Sequence, residues 1–292
     1  MRTLSSPMPE KTEMITMNRV TLRKTKDRLM TLCMWGAALL MLVPLGLIFF
    51  HIVKMGISSI SLDFFTSIPK PTGEQGGGMA NGMAGSAILI GMASLIGVPV
   101  GIFGAIYLTE YGRGPFATAI RFAADILSGI PSIITGMVVY GLMVVPMKGF
   151  SAIAGSVALA LIMIPIVLRT TEEQLKMVPN TLREASLALG VPMWRTSLKV
   201  TLGSAMKGVM TGILLAVARV AGETAPLLFT ALGNQFWSKS LAQPIAAMPL
   251  QIFSFAIAPY EDWHKLAWAG ALVLVSIMFT LSLAARYVQS RR

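Results

Sequence analysis

Residues 29–53 run without a single Asp, Glu, Lys or Arg, and long apolar runs recur five more times along the chain. This repetition constrains the fold more than any other feature. A run of about 20 apolar residues can cross a bilayer as a helix. Lipid accepts only helices and closed barrels, because every backbone N–H and C=O must be paired internally. The runs are continuous rather than alternating stretches of about ten residues, which excludes a barrel. Composition agrees: 13% of the residues are charged, against about 25% in a soluble domain. The chain is predicted to be an all-α polytopic membrane protein. Its six transmembrane helices are expected near 29–53, 83–108, 124–145, 150–168, 208–232 and 266–285.

A formal charge of +11 suits a nucleic-acid partner, but its distribution does not. Arg19, Arg23, Lys24, Lys26 and Arg28 precede the first run, and Arg286, Arg291 and Arg292 follow the last. Basic loops stay cytoplasmic, and six crossings return the chain to its starting side. Both termini are therefore placed inside, with membrane lipid and no nucleic acid as the surroundings. The chain divides into a cytoplasmic tail (1–28), the first helix (29–53), a periplasmic loop (54–82), a five-helix core (83–285) and a cytoplasmic tail (286–292). The core includes a cytoplasmic loop (169–207) and a periplasmic segment (233–263). Within that segment the apolar stretch 245–258 is too short to span and is interrupted by Pro249, so an interfacial or re-entrant element is predicted.

Catalytic motifs are missing from the sequence. Cys33 is the sole cysteine, and His51 and His264 are far apart, so neither a disulfide nor a metal cluster is expected. Gly76, Gly77 and Gly78 are not followed by Gly-Lys-Ser/Thr, so they form no nucleotide-binding loop. No catalytic residue, metal or cofactor is assigned, and the chain is expected to be non-enzymatic. In the second run Gly85, Gly91, Gly97, Gly101 and Gly104 predict a helix that approaches a neighbour closely. Asp125 is expected in the first turn of the third helix, where the helix dipole favours an acid.

The loop 169–207 carries six Lys or Arg against three acids. Asn180 or Thr181 can cap a short helix, with Glu184 reaching back, and Gly190 can end it in a left-handed turn. Pro192 restarts the chain, and Trp194, Leu198 and Leu202 form the next apolar stripe. By pattern this is an amphipathic connector or a docking knob. Its spacing is specific: Glu184-Ala185-Ser186, three residues, Gly190, nine residues, Val200, one residue, Leu202. This resembles the EAA loop of ABC-importer permeases, with Ser186 for Ala, Val200 for Ile, and Gly203 where the family has Pro. The resemblance implies that Glu184, Ala185, Ser186, Gly190, Val200 and Leu202 couple the chain to an ATPase subunit.

The fifth run holds two charges. Arg219 is about the twelfth residue of a span of about 25, near the midplane, with Glu223 one turn on. A central arginine costs about 2.5–3.5 kcal/mol, so it needs a partner or a purpose. Pairing with Glu223 and lining a substrate pathway are compatible, since a guanidinium fork also matches an oxyanion. Pro226 cannot donate to the Gly222 carbonyl, so Gly222 and Pro226 are a candidate hinge. Arg169, Glu172 and Glu173 stand where the fourth helix ends. They are either local ion pairs or a second anion station.

Arg219 with the segment Ala221-Gly222-Glu223-Thr224-Ala225-Pro226 is similar to the permease subunits of bacterial phosphate ABC importers. So are Leu108-Thr109-Glu110-Tyr111-Gly112, Pro131-Ser132-Ile133 and Arg169-Thr170-Thr171-Glu172. The resemblance extends from the first helix onward. It implies a type I ABC-importer (MetI-like) architecture in a bacterial inner membrane and inorganic phosphate as substrate. It also implies a PstC-like second permease, a PstB-like ATPase dimer and a PstS-like periplasmic binding protein. Arg219, Glu223, Arg169 and Glu172 become the expected pathway residues. Charge and spacing alone also accommodate sulfate or molybdate, or an ATPase-independent channel or scaffold.

Overall fold

The computed structural model describes residues 10–71, 74 and 76–290, with side chains described for 22–71, 74 and 76–287. The first nine residues of the predicted N-terminal tail, the Arg19 side chain, and Arg291 and Arg292 lie outside the described residues.

In chain order, α1 is Glu10–Ile57, α2 Leu62–Thr66, α3 Ala80–Ile106, α4 Pro115–Gly129, α5 Ser132–Val139, α6 Val145–Met147, α7 Ala152–Lys176, α8 Asn180–Ala188, α9 Met193–Arg195, α10 Leu202–Ala221, α11 Ala225–Thr230, α12 Met248–Ala256 and α13 Glu261–Ser290. Three turns widen to π-helix: Tyr107–Tyr111 after α3, Tyr140–Val144 before α6, and Thr196–Thr201 before α10. Five segments are long and apolar enough to cross a membrane: Leu22–Ile57, Ala80–Tyr111, Ala152–Lys176, Met193–Ala221 and Glu261–Tyr287.

A sixth crossing exists only if Pro115–Gly129 and Ser132–Met147 are one span, bent by 106°. The continuous third helix predicted over 124–145 is therefore corrected to a broken one. Pro131 has no N–H to continue the ladder, and the residue before a proline is pushed to extended backbone. Ile130 adopts that conformation, at φ −70° and ψ 131°. Asp125 consequently lies well inside α4, which begins at Pro115, and not in a first turn.

The described residues up to 54 form one unit and those from 55 onward another. In the first, α1 already begins at Glu10, where a tail was predicted up to residue 28. The basic segment before the apolar run therefore continues the same helix.

The second unit is built around α3 and α7. Gly97 faces Met163, Gly101 faces Val167 and Gly104 faces Leu168; a Cβ on Gly101 would come within 2.8 Å of Val167. Lipid tails are as apolar as leucine, so helix pairing in a membrane depends on such close packing rather than on water exclusion. The small-residue face predicted for the second helix is largely this contact, although Gly91 faces open space. Leu89, Leu159, Met163 and Val167 fill the centre together with Ala216, Val220 and Leu227.

A second notch lies at the N-terminal end of α3. Gly85 faces the Ala246 carbonyl and Gly82 the Gln251 carboxamide, closer than any Cβ permits. The Met248 N–H donates to Ser86 Oγ at 2.8 Å, and Gln251 Nε2 donates to Asn81 Oδ1 at 3.0 Å. Asn81 Nδ2 donates to the carbonyls of Asn234 (3.1 Å) and Gln235 (2.9 Å). The stretch 245–258 thus doubles back into its own chain. It is helical over Met248–Ala256, with Ile245, Ala246, Ala247, Met248 and Leu250 buried.

Candidate functional site

The predicted fifth helix is also broken. α10 ends at Ala221 with Gly222 as its C-cap, and α11 resumes with Pro226 in its first turn. Pro226 cannot donate to the Gly222 carbonyl, and the chain responds with a full break over residues 222–224 rather than a kink. Arg219 therefore stands in the last turn of α10, not at mid-helix. A cation is favoured there by the negative end of the helix dipole.

The break separates Arg219 from Glu223. Once the backbone leaves the helix at Gly222, the same-face spacing no longer applies. Among the described residues neither side chain enters an ion pair. Instead both line a cavity of about 290 Å³. Its other walls are Ser128, Pro131 and Ser132 at the α4–α5 break, and Ile162 and Ile166 of α7. Two interrupted spans thus open onto one space that holds a guanidinium, a carboxylate and two hydroxyls.

One turn along α7 from Ile166, Arg169 and Glu172 belong to an ion-pair network. The Glu172 carboxylate is 1% exposed and accepts from Arg121 Nε at 2.8 Å, Lys176 Nζ at 2.8 Å and Arg169 Nη1 at 3.3 Å. Arg169 also pairs with Asp125 and donates to the Arg121 carbonyl at 3.2 Å. Arg121 Nη2 donates to the Leu108 carbonyl at 2.9 Å. The network ties α4 and α7 to the end of α3. Glu173 is exposed and outside it.

The basic loop folds as a knob. Gly190 sits at φ +79°, with its N–H on the Leu187 carbonyl at 2.9 Å and the Val191 N–H on the Ser186 carbonyl at 3.3 Å. This is the glycine-terminated Schellman arrangement. The predicted capping box does not form: Pro179 is the N-cap of α8 and makes no side-chain bond there, while Asn180 Oδ1 accepts from Arg183 Nη1 at 3.0 Å. The second predicted helix, preceded by Pro192, does not stop within the loop: α9 runs through the π turn, which carries Val200, into α10 at Leu202, so the fifth span already begins at Met193. Glu184 and Ala185 face outward, whereas Ser186 is buried with its hydroxyl 2.9 Å from that of Thr196. Leu189 is 83% exposed and Trp194 55%, with the Arg195 guanidinium over the Trp194 ring.

Sequence spacing missed Arg183, Glu110, Arg121 and Thr196. Arg183 Nε meets Glu110 Oε1 at 3.0 Å across 73 residues, a separation to which no helical period applies.

Fold and site define a multi-pass membrane permease of the ABC-importer type. Residues 97–292 match the family described as binding-protein-dependent transport system inner membrane component. The chain is 48% identical over 271 residues, covering 92% of each protein, to the phosphate transport system permease protein PstA of Yersinia pestis. It is 45% identical over 266 residues to PstA of Haemophilus influenzae, covering 90% of this chain and 94% of that one. It is 36% identical over 268 residues to the probable PstA of Methanocaldococcus jannaschii, covering 91% and 95%. The chain belongs to the PstA family of these transport-system membrane components.

Two solved structures share the fold. The inward-facing MetNI methionine ABC transporter superposes with a TM-score of 0.56 at 21% identity, over 72% of this chain and 92% of that one. A bacterial ABC transporter involved in the import of the acidic polysaccharide alginate superposes with a TM-score of 0.60 at 13% identity, over 94% and 99%.

Proposed function

We propose that the chain forms one half of the membrane pathway of an ATP-driven importer of inorganic phosphate. The observation that carries this reading is Arg219, which lines a cavity at a helix break and pairs with no carboxylate among the described residues. A guanidinium fork can give two parallel, charge-assisted hydrogen bonds to an oxyanion. Ser128 and Ser132 can add neutral donors, and Glu223 prevents the site from holding an anion too tightly to release it. Phosphate as the anion is supported by the names of the PstA relatives.

In this reading both termini are cytoplasmic, as the basic flanks require, in a bacterial inner membrane. A PstC-like permease supplies the other half, a PstB-like ATPase dimer sits beneath, and a PstS-like binding protein delivers phosphate from the periplasm. Glu184, Ala185, Gly190 and the exposed Leu189 and Trp194 form the surface offered to the ATPase. Arg169 and Glu172, locked among Arg121, Asp125 and Lys176, close the pathway on the cytoplasmic side of the cavity. Closure of the ATPase on ATP pulls the knob, and α10 follows because the π turn joins the two. The cavity then changes sides by rigid-body rocking.

The test is uptake of radiolabelled phosphate by the complete complex in proteoliposomes, with sulfate and molybdate as competitors. Phosphate uptake that resists both competitors and stops when ATP hydrolysis is blocked is the expected result. Equal competition by sulfate would overturn the substrate, and uptake without hydrolysis would turn the chain into a channel.

A further inference from the structure

The docking helix α8 is held by very little. Ser186 is its only buried residue, and its hydroxyl contact with Thr196 ties it to the π turn that leads into α10. Arg183, three residues earlier on the same face, makes the other link. Its guanidinium donates to Glu110 Oε1 (3.0 Å), to the carbonyls of Val178 (2.6 Å) and Leu175 (2.8 Å), and to Asn180 Oδ1 (3.0 Å). The Glu110 side chain is only 2% exposed and that of Arg183 15%. Among the described residues Arg183 is the only ion-pair partner of Glu110. Glu110 lies in the π turn that ends the α3 span; of the two carbonyls, that of Leu175 belongs to the last turn of α7 and that of Val178 to the turn leading into α8. One side chain therefore joins the knob, the end of α7 and the end of α3.

The other end of α3 is tied as firmly. Asn81 holds Gln251 and the carbonyls of Asn234 and Gln235, and Ser86 holds the Met248 N–H. From Asn81 to Glu110 the helix rises about 43 Å, roughly the full depth of a bilayer with its headgroups. Each end thus carries a buried polar link to an element that is not its chain neighbour.

We propose that Arg183 is a coupling residue: it makes α3 follow the docking knob, so that a displacement of α8 reaches the 232–256 segment on the opposite face of the membrane. This rests on the functional reading above, in which an ATPase moves the knob. α10 carries the motion to the Arg219 cavity, and α3 carries it to the far end, where a delivering protein would meet the chain. Arg183 acts through Glu110 and the Leu175 carbonyl of α7 and does not touch the substrate.

The experiment compares ATP hydrolysed per anion imported in the complete reconstituted complex. Arg183→Gln and Glu110→Gln should each raise this ratio by about five-fold or more, the lower end of ordinary coupling between sites. The exchange Arg183→Glu with Glu110→Arg rebuilds only the ion pair, because a carboxylate at 183 cannot donate to the Leu175 and Val178 carbonyls, so the ratio should stay raised even where the complex assembles. Arg183→Lys keeps the charge for Glu110 but loses the fork that also reaches Leu175 and Val178. It should assemble and give an intermediate ratio. Asn81→Ala, at the far end of α3, should raise the ratio as well. Variants that assemble with an unchanged ratio, or an exchange that returns the parent ratio in full without the carbonyl links, would overturn the proposal. The ratio is read with whichever anion the parent complex carries, so a wrong substrate and a wrong coupling residue give different results.

Discussion

Gly136 of α5 lies so close to Pro226 of α11 that a Cβ on the glycine would come within 2.6 Å of the Pro226 Cα and 2.9 Å of its carbonyl oxygen. The contact is backbone to backbone, so neither side can yield by changing rotamer. It joins the second halves of the two broken spans beside the cavity that holds Arg219.

Gly136→Ala should therefore separate α5 from α11. Overpacking at a rigid contact costs about 1–3 kcal/mol. The melting temperature of the purified complex should fall, and uptake with it. An unchanged melting temperature would mean that the two helices part easily and do not move as a pair.

Arg219→Ala should leave assembly intact, because no ion pair is lost with it, and should lower uptake by about ten- to a hundred-fold, the worth of a charged hydrogen bond of about 1.5–3 kcal/mol. Arg219→Lys keeps the charge but not the planar fork, so it should restore only part of the rate. Disappearance of the Ala variant from the membrane, scored by immunoblot, would assign Arg219 to folding instead.

Gly190→Pro should uncouple hydrolysis from uptake. Proline fixes φ near −65° and removes the N–H that bonds the Leu187 carbonyl. Gly190→Ala should be mild, at about 1–2 kcal/mol, because a Cβ there meets nothing within 4 Å and the penalty is conformational only. Equal ATP-to-anion ratios in the Pro variant and the parent would show that the shape of the knob is immaterial.

Ser186→Ala moves the chain toward the commoner alanine of EAA loops, yet it should destabilise the knob. The Thr196 hydroxyl is fully buried and would lose its contact with Ser186, at about 1–3 kcal/mol. Adding Thr196→Val should recover most of the loss in a double-mutant cycle, read by proteolysis of the loop. Additive losses would refute the pairing.

Much of this fold was legible in the sequence, because membrane helices announce themselves by length and composition. The glycines facing Met163, Val167 and Leu168, and the left-handed turn at Gly190, also follow from local patterns. What stayed hidden has two physical causes. Pro131 and Pro226 lay within runs predicted as continuous helices, Pro226 as part of a hinge, but the helix ends at Gly129 before the one and at Ala221 before the other, which moved Arg219 to a helix end and took it out of the helical register with Glu223. The second cause is sequence distance. Arg121 meets Glu172 across 51 residues and Arg183 meets Glu110 across 73. Helical periodicity sees only partners three or four residues away, so Glu172 looked like a member of a local pair and Arg183 like an ordinary loop cation.

The two interrupted spans have one more effect. Wherever a helix stops and restarts, its last carbonyls and first amides lose their partners within the ladder. At the two breaks part of this loss is made good within the chain: the Glu223 N–H bonds the Val220 carbonyl, the Leu227 N–H the Thr224 carbonyl and the Ile134 N–H the Pro131 carbonyl. Backbone groups left over at such breaks would face the cavity between them, where they would add dipoles to those of the side chains.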